Sequence, residues 1–238
     1  MTLESLRASV IKDLKSRSVA GDNSKLKAYL GSPYPVLGLT TPQMREVMKT
    51  HYGAFKLMAM NELNELAELL WTGPTLEERE FAIWLFGRFS KLLDDESWAI
   101  MDRWIGQVSG WALCDGLGSG PISAMLYREP SHFDEVLEWT HSGNPWRRRV
   151  SAYAMRDFVF AGELERPFAL LERLLYDEEF WVQRAVGTWL RECWKKDKKR
   201  TEIYLREHVT GLPRVVITVA TERAPKAFRD ELRRRRTV

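Results

Sequence analysis

Apolar residues recur along this chain at helical spacing. Leu3, Leu6, Val10, Ile11 and Leu14 share one face of a helix, as do Leu63, Leu66, Leu69 and Leu70, and again Phe168, Leu170, Leu171, Leu174 and Leu175. The alternation that marks a half-buried strand is nearly absent. Val215 to Val219 is the one β-rich run, but it lies between Pro213 and the helix-favouring stretch Ala220 to Leu232, so it reads as a buried helix start. Breakers divide the chain at Gly31 to Pro35, Gly73-Pro74, Gly116 to Pro121, Gly143 to Pro145, Gly162 to Pro167 and Gly211 to Pro213, leaving pieces one or two helices long. Thr41-Pro42 places a capping hydroxyl before a proline at a first helical position, and Asp94 and Asp95 stand just ahead of the apolar run from Trp98.

A repeat emerges on top of this periodicity. Trp146-x-x-Arg149-Val150 and Trp181-x-x-Arg184-Ala185 share the order Trp, two residues, Arg, apolar at an offset of 35 positions, and Pro213-Arg214-Val215 echoes it 30 positions further on. A period of this length made of helix pairs is the signature of an α-solenoid, in which each pair buries its apolar face only against its neighbours. The pattern predicts an all-α fold, a HEAT-like, armadillo-like superhelix of about six helix pairs occupying residues 1–238 as one domain, with a concave face available to an extended partner. The repeated arginines read either as a ladder bracing adjacent repeats or as cations on that face.

Composition narrows the class. With 45% hydrophobic and 29% charged residues the chain can bury a sizeable core, which excludes disorder. A mean hydropathy of -0.35 and charges in nearly every long window leave no apolar span for a transmembrane helix. The Met1 to Lys15 segment carries acids early and has no long apolar region, so it does not read as a secretory signal. A soluble, cytoplasmic protein is expected. Two cysteines, Cys114 and Cys193, argue against a disulfide framework or a cysteine-based zinc site and read as packed thiols.

The net charge of +3 conceals an asymmetry. Residues 1–130 hold 14 Lys and Arg against 16 Asp and Glu, whereas residues 131–238 hold 22 against 17. The surplus includes Arg147 to Arg149, Lys195 to Arg200 and Arg233 to Arg236; the terminal run reads first as a solvated tail. Ten tryptophans stand against roughly three by ordinary usage. Most are expected in the core, and a minority facing outward.

No Walker loop, dinucleotide fingerprint, His-Glu-x-x-His or Cys-x-x-Cys occurs, which removes the nucleotide, zinc-protease and thiol-redox classes that such motifs carry. The Gly116-Leu-Gly118-Ser-Gly120 run follows no strand and is not read as a phosphate loop. His51, His132, His141 and His208 show no metal-ligand spacing. What remains is Trp111-x-x-x-Asp115, a carboxylate and an indole on one face of a helix. Taken alone, it reads first as a buried indole beside a capping or salt-bridging acid.

The sequence resembles the AlkD-like alkylpurine DNA glycosylases of the HEAT-like repeat superfamily. The resemblance runs from about Tyr29 to about Arg214. It is carried by Tyr29 followed by Leu37-Gly38-Leu39-x-Thr41-Pro42-x-x-Arg45, by Leu70-Trp71 with Arg79-Glu80-Phe81, by Trp111-x-x-x-Asp115, by Trp146-x-x-Arg149, and by Phe180-x-Val182-Gln183-Arg184-Ala185-Val186-Gly187 with Leu190-Arg191-Glu192. It implies that Asp115 is the catalytic carboxylate, that Trp111 packs against the lesion nucleotide, and that Arg149 is the cation on the DNA there, with Tyr29 and Arg191 lining the same groove. Arg184 joins the DNA-binding set. At the second lesion-facing Trp of the family this chain has Thr188, with Trp189 one residue later; both are carried as DNA-binding candidates. The family also tends to place a second aromatic and a second acid around Trp111, where Gly110 and Ala112 stand here.

The implied chemistry follows from the substrate. A purine alkylated at N3 or N7 is cationic and departs as a neutral base, so its departure needs no general acid. The burden is to stabilise an oxocarbenium-like sugar and to orient a water, which a carboxylate can do. Indole faces add cation-π attraction worth roughly 0.5 to 2 kcal/mol. No lysine in the matched site invites a Schiff base, so no lyase step is expected. The expected partner is double-stranded DNA containing alkylated purines, bound by a monomer with no cofactor, no metal and no membrane. Two alternatives remain open: a family member that has lost excision and binds branched or damaged DNA, and a HEAT-type protein-interaction scaffold.

Overall fold

The computed structural model describes residues 2–19 and 21–236; Met1, Ala20, Thr237 and Val238, all inside the expected domain 1–238, lie outside the described residues. Among the described residues every regular element is helical, and no helix is long and apolar enough to cross a membrane. The chain groups into two compact units, Met1–Met125 and Leu126–Val238.

The first unit holds α1 (Leu3–Ser16), α2 (Ser24–Leu30), α3 (Thr41–Phe55), α4 (Met60–Trp71), α5 (Leu76–Arg88), α6 (Asp95–Ile105), α7 (Trp111–Leu117) and the start of α8 (Ser123–Arg128). Here α1 packs on α3 and α4, α4 on α5 and α6, and α5 on α7. The faces that meet are those the periodicity marked: Leu6, Val10 and Leu14 of α1 are buried, as are Leu63, Leu66 and Leu70 of α4. Flat rings fill the middle, with Trp71 stacked on Trp104 at 4.6 Å between centroids and Phe86 on Trp104 at 5.1 Å. Such offset pairs contribute about 0.5 to 1.5 kcal/mol beyond the area they bury. The Trp71 indole N–H is satisfied inside this stack by Gln107 at 2.8 Å.

The second unit continues with α9 (Phe133–Glu138), α10 (Pro145–Tyr153), α11 (Arg156–Ala161), α12 (Glu165–Leu174), α13 (Phe180–Lys196), α14 (Lys198–His208), α15 (Arg214–Ala220) and α16 (Lys226–Arg236). The 35-residue repeat becomes visible in its packing, because α13 packs against both α10 and α15, the three helices that carry the repeated arginines. Helices α12 and α14 pack on α13, and α16 on α14. Each unit is therefore a stack of helix pairs, the all-α fold that the sequence predicts. Gly187 allows α13 and α15 to approach closely: a Cβ there would lie 2.7 Å from the Val219 Cβ and 3.0 Å from the Val216 carbonyl.

Two local expectations change register or resolve. The cap of α3 falls on Thr40 rather than Thr41, since only from Thr40 does Gln43 sit where its side chain returns to the cap's own N–H, at 2.8 Å. The β-rich run Val215 to Val219 is helical within α15, with Val216 and Ile217 buried.

Candidate functional site

The start of α7 is set by a contact between two glycines. Gly31 closes α2 in the left-handed region with φ of 63°, and Gly110 precedes α7 with φ of 91°. A Cβ on Gly110 would collide with the Gly31 carbonyl oxygen, so only glycine fits the contact. This explains the departure from the family pattern at position 110, where an aromatic has no room.

That contact brings Trp111 against α2. Its indole N–H donates to the Tyr29 carbonyl at 2.7 Å, and its ring meets the Tyr29 ring edge-on at 5.4 Å and 81°. Tyr29 itself is 69% exposed. Asp115 lies one turn further along α7, on the same face, and both Trp111 and Asp115 are half-buried. The Ser119 hydroxyl donates to the Asp115 backbone carbonyl at 2.5 Å, where the helix passes into a π-helical turn over Gly118–Ile122 that contains Pro121. Gly116 and Gly120 face Ile83 of α5, where a Cβ would make ordinary van der Waals contact. Three sequence-expected residues of the first unit, Tyr29, Trp111 and Asp115, are thus set on two touching elements.

Helix α5 carries carboxylates in enclosed surroundings. Glu77 is buried and accepts from the backbone N–H groups of Leu37 and Gly38 at 2.9 and 2.8 Å, fixing the loop before α3. Burial pushes the Glu80 carboxyl up to about 7, and the neighbouring Glu77 charge adds to the shift.

In the second unit, Arg149 of α10 is only 4% exposed. Its guanidinium donates to the Trp181 carbonyl and, at 3.1 Å, to the Tyr153 hydroxyl, and it lies 4.9 Å over the Tyr153 ring. These contacts tie the guanidinium to the start of α13 and to the Tyr153 ring. Tyr153, one turn from Arg149, is the residue the sequence reading passed over; its four-residue spacing was the available signal.

Helix α13 separates the remaining candidates by face. Trp181 and Arg184 are exposed, and Thr188 and Arg191 half-buried, all on one side. Arg184 has no ion-pair partner among the described residues; its guanidinium lies 5.8 Å from the Phe180 ring centre. Arg191 is held by Glu222 at 2.6 Å and Glu192 at 3.2 Å. Trp189 points the other way: it is 4% exposed and packs edge-on against Tyr153 at 5.5 Å, and its indole nitrogen finds no acceptor among the described residues. The expectation that Trp189 contacts DNA is corrected, because one residue on a helix is a turn of about 100°, here from the open face into the core.

A family model described as DNA alkylation repair enzyme matches residues 10–224. No curated protein sequence matches this chain. Among solved structures, "X-ray crystal structure of AlkD2 from Streptococcus mutans" aligns with a TM-score of 0.68 at 18% identity, over 93% of this chain and 98% of that one. "Predicted DNA alkylation repair enzyme from Enterococcus faecalis" aligns with a TM-score of 0.74 at 19% identity, over 85% and 94%. "The Crystal Structure of smu.31 from Streptococcus mutans UA159" aligns with a TM-score of 0.65 at 18% identity, over 91% and 98%. At these identities the likeness is one of fold.

Proposed function

The chain belongs to the DNA alkylation repair enzyme family, and on that premise we propose that it is a monofunctional DNA glycosylase hydrolysing the N-glycosidic bond of N3- or N7-alkylated purines in duplex DNA. One observation carries the reading. Trp111 and Asp115 stand one turn apart on a helix whose start is fixed by the Gly31 and Gly110 contact and by the indole bond to Tyr29. In the proposed step the bond between C1′ and the purine nitrogen breaks, its electron pair leaves with the alkylated base, and positive charge develops on the sugar. The Asp115 carboxylate stabilises that charge, and a water adds its oxygen to C1′ while its proton passes to Asp115 or to solvent. The Trp111 indole holds the cationic nucleotide by its electron-rich face.

On this reading Arg184 grips phosphate, since it has no acid to leave. Tyr29 and Thr188 line the DNA surface, and Arg191 meets phosphate with its charge already compensated by Glu222. Arg149 is a positioning residue that ties α10 to the start of α13. The protein acts as a cytoplasmic monomer, one domain over 1–238, without cofactor.

Losing one preorganised electrostatic group costs on the order of 3 kcal/mol, or about a hundredfold in rate. Single-turnover release of 7-methylguanine or 3-methyladenine from methylated duplex should therefore fall about a hundredfold or more in Asp115→Asn, with DNA affinity little changed. Equal rates would remove Asp115 from the chemistry. Thr188, with Trp189 turned inward, favours a second reading in which the protein binds damaged or branched DNA without excising; wild-type binding with no release selects it.

A further inference from the structure

A groove on the first unit, between α3 and α5, has the lining of a nucleotide site. Arg45, Lys49 and Tyr52 recur along one face of α3, with Met48 beneath them, and Trp84 and Arg88 stand one turn apart on α5; together they enclose about 400 Å³. That is within the size range of small-ligand sites. No carboxylate lines it.

Its cations are exposed, and none of Arg45, Lys49 and Arg88 has an ion-pair partner among the described residues. Other arginines of the molecule are held by acids, Arg103 by Glu68, Arg200 by Glu165 and Arg206 by Glu231, while Arg184 shares the unpaired state of these three cations. Three uncompensated charges around one depression create a field that an anion would relieve. Arg88 is oriented from below, its guanidinium 4.5 Å over the Tyr52 ring, and Tyr52 is in turn stacked on Phe89 at 5.8 Å and 19°. Trp84 is different. It is half-buried, and among the described residues neither its ring nor its N–H has a partner, so an indole surface is left open beside the charges.

A flat apolar surface next to unpaired cations matches a nucleotide with its base free of the duplex stack: the phosphate meets the charges and the base meets the ring. A base inside a duplex presents only its edge, and a bare phosphate has no use for the indole. We propose that the groove takes one unstacked nucleotide of a single-stranded DNA flank, its phosphate among Arg45, Lys49 and Arg88 and its base on Trp84. The proposal rests on the reading of the protein as DNA-binding, but on none of the residues assigned to excision.

The test is fluorescence anisotropy with two labelled DNAs, a blunt duplex and the same duplex carrying a short oligothymidylate flank. Wild type should bind the flanked DNA about fivefold or more tightly than the blunt one. Trp84→Ala should abolish that preference and keep blunt-duplex affinity, whereas Trp84→Phe, which retains a stacking surface, should keep the preference. Arg45→Ala and Lys49→Ala should each lower the log-log salt slope for the flank by about 0.7. No preference in wild type, or a preference that survives Trp84→Ala, would overturn the site. Free thymidine monophosphate erasing the preference at concentrations equal to the oligothymidylate would also overturn it, by showing a mononucleotide site. Failure of the excision reading would appear separately, as absent base release from the blunt duplex.

Discussion

The two units have nearly opposite charge economies. Residues 1–125 hold 13 Lys and Arg against 15 Asp and Glu, while residues 126–238 hold 23 against 18. Net charge would assign all nucleic-acid contact to the second. Pairing refines that: Arg148 is held by Asp177, Arg191 by Glu222, Arg200 by Glu165 and Arg206 by Glu231, so the surplus of the second unit resides in other cations, Arg184 among them. The acidic first unit keeps three uncompensated cations in one groove beside an open indole, and no carboxylate lines that groove. What a charged partner feels is the cations left over after internal pairing, and that quantity is not proportional to the sum.

The sharpest way to break the comparison is to damage one unit and watch the other. Arg148 donates to both Asp177 oxygens, at 2.6 and 3.1 Å, and to the Ser142 carbonyl at 2.7 Å, with both partners largely buried. Arg148→Ala strands the Asp177 charge and should cost about 3 to 5 kcal/mol. If residues 1–238 form one domain, hydrogen exchange should accelerate in both units together. Acceleration confined to 126–236 would show two domains.

Gly110→Ala attacks the first unit. The collision with the Gly31 carbonyl and the positive φ together should cost on the order of 3 kcal/mol, measured by urea titration, and base release should fall with it. Somewhat smaller is the effect of Glu80→Gln. Because the Glu80 carboxyl sits near 7 in the folded protein, against an ordinary value of 4.5, the native state keeps its proton where the unfolded chain loses it. Stability therefore declines as pH rises from about 4.5 to 7. The amide removes that penalty, so Glu80→Gln should be up to about 3 kcal/mol more stable than wild type at pH 8 and no more stable below pH 4.5. The smallest effect separates a free from a compensated cation: Arg184→Ala should lower the salt slope of duplex binding by about 0.9, and Arg191→Ala by clearly less, since Glu222 already neutralises Arg191. Equal slopes would mean that pairing does not predict contact.

Much of this was legible in the sequence because it follows from spacing. Helical periodicity gave the class, the 35-residue repeat gave the packing of α10, α13 and α15, and four-residue spacing placed Trp111 and Asp115 on one face. Side-chain partnership was not legible. Arg149 and Arg184 occupy equivalent repeat positions, yet one is buried against Trp181 and Tyr153 and the other is open. Periodicity alone could have turned Trp189 inward, since Val182, Ala185, Val186 and Cys193 of α13 mark the buried face it shares. Gly110 looked like a missing aromatic, because the need for a positive φ depends on Gly31, distant along the chain. The lift in Glu80 arises chiefly from burial, which spacing does not show, and only the smaller part from Glu77 three residues before it was legible.

The length of α7 bears on temperature. Seven residues and the distorted turn that follows them are too few to hold a helix in isolation, so the carboxylate keeps its place only while α2 and α5 stay docked. Local opening of such a segment requires less free energy than global unfolding. On heating, catalysis should therefore fade some degrees before the protein melts, and recover on cooling.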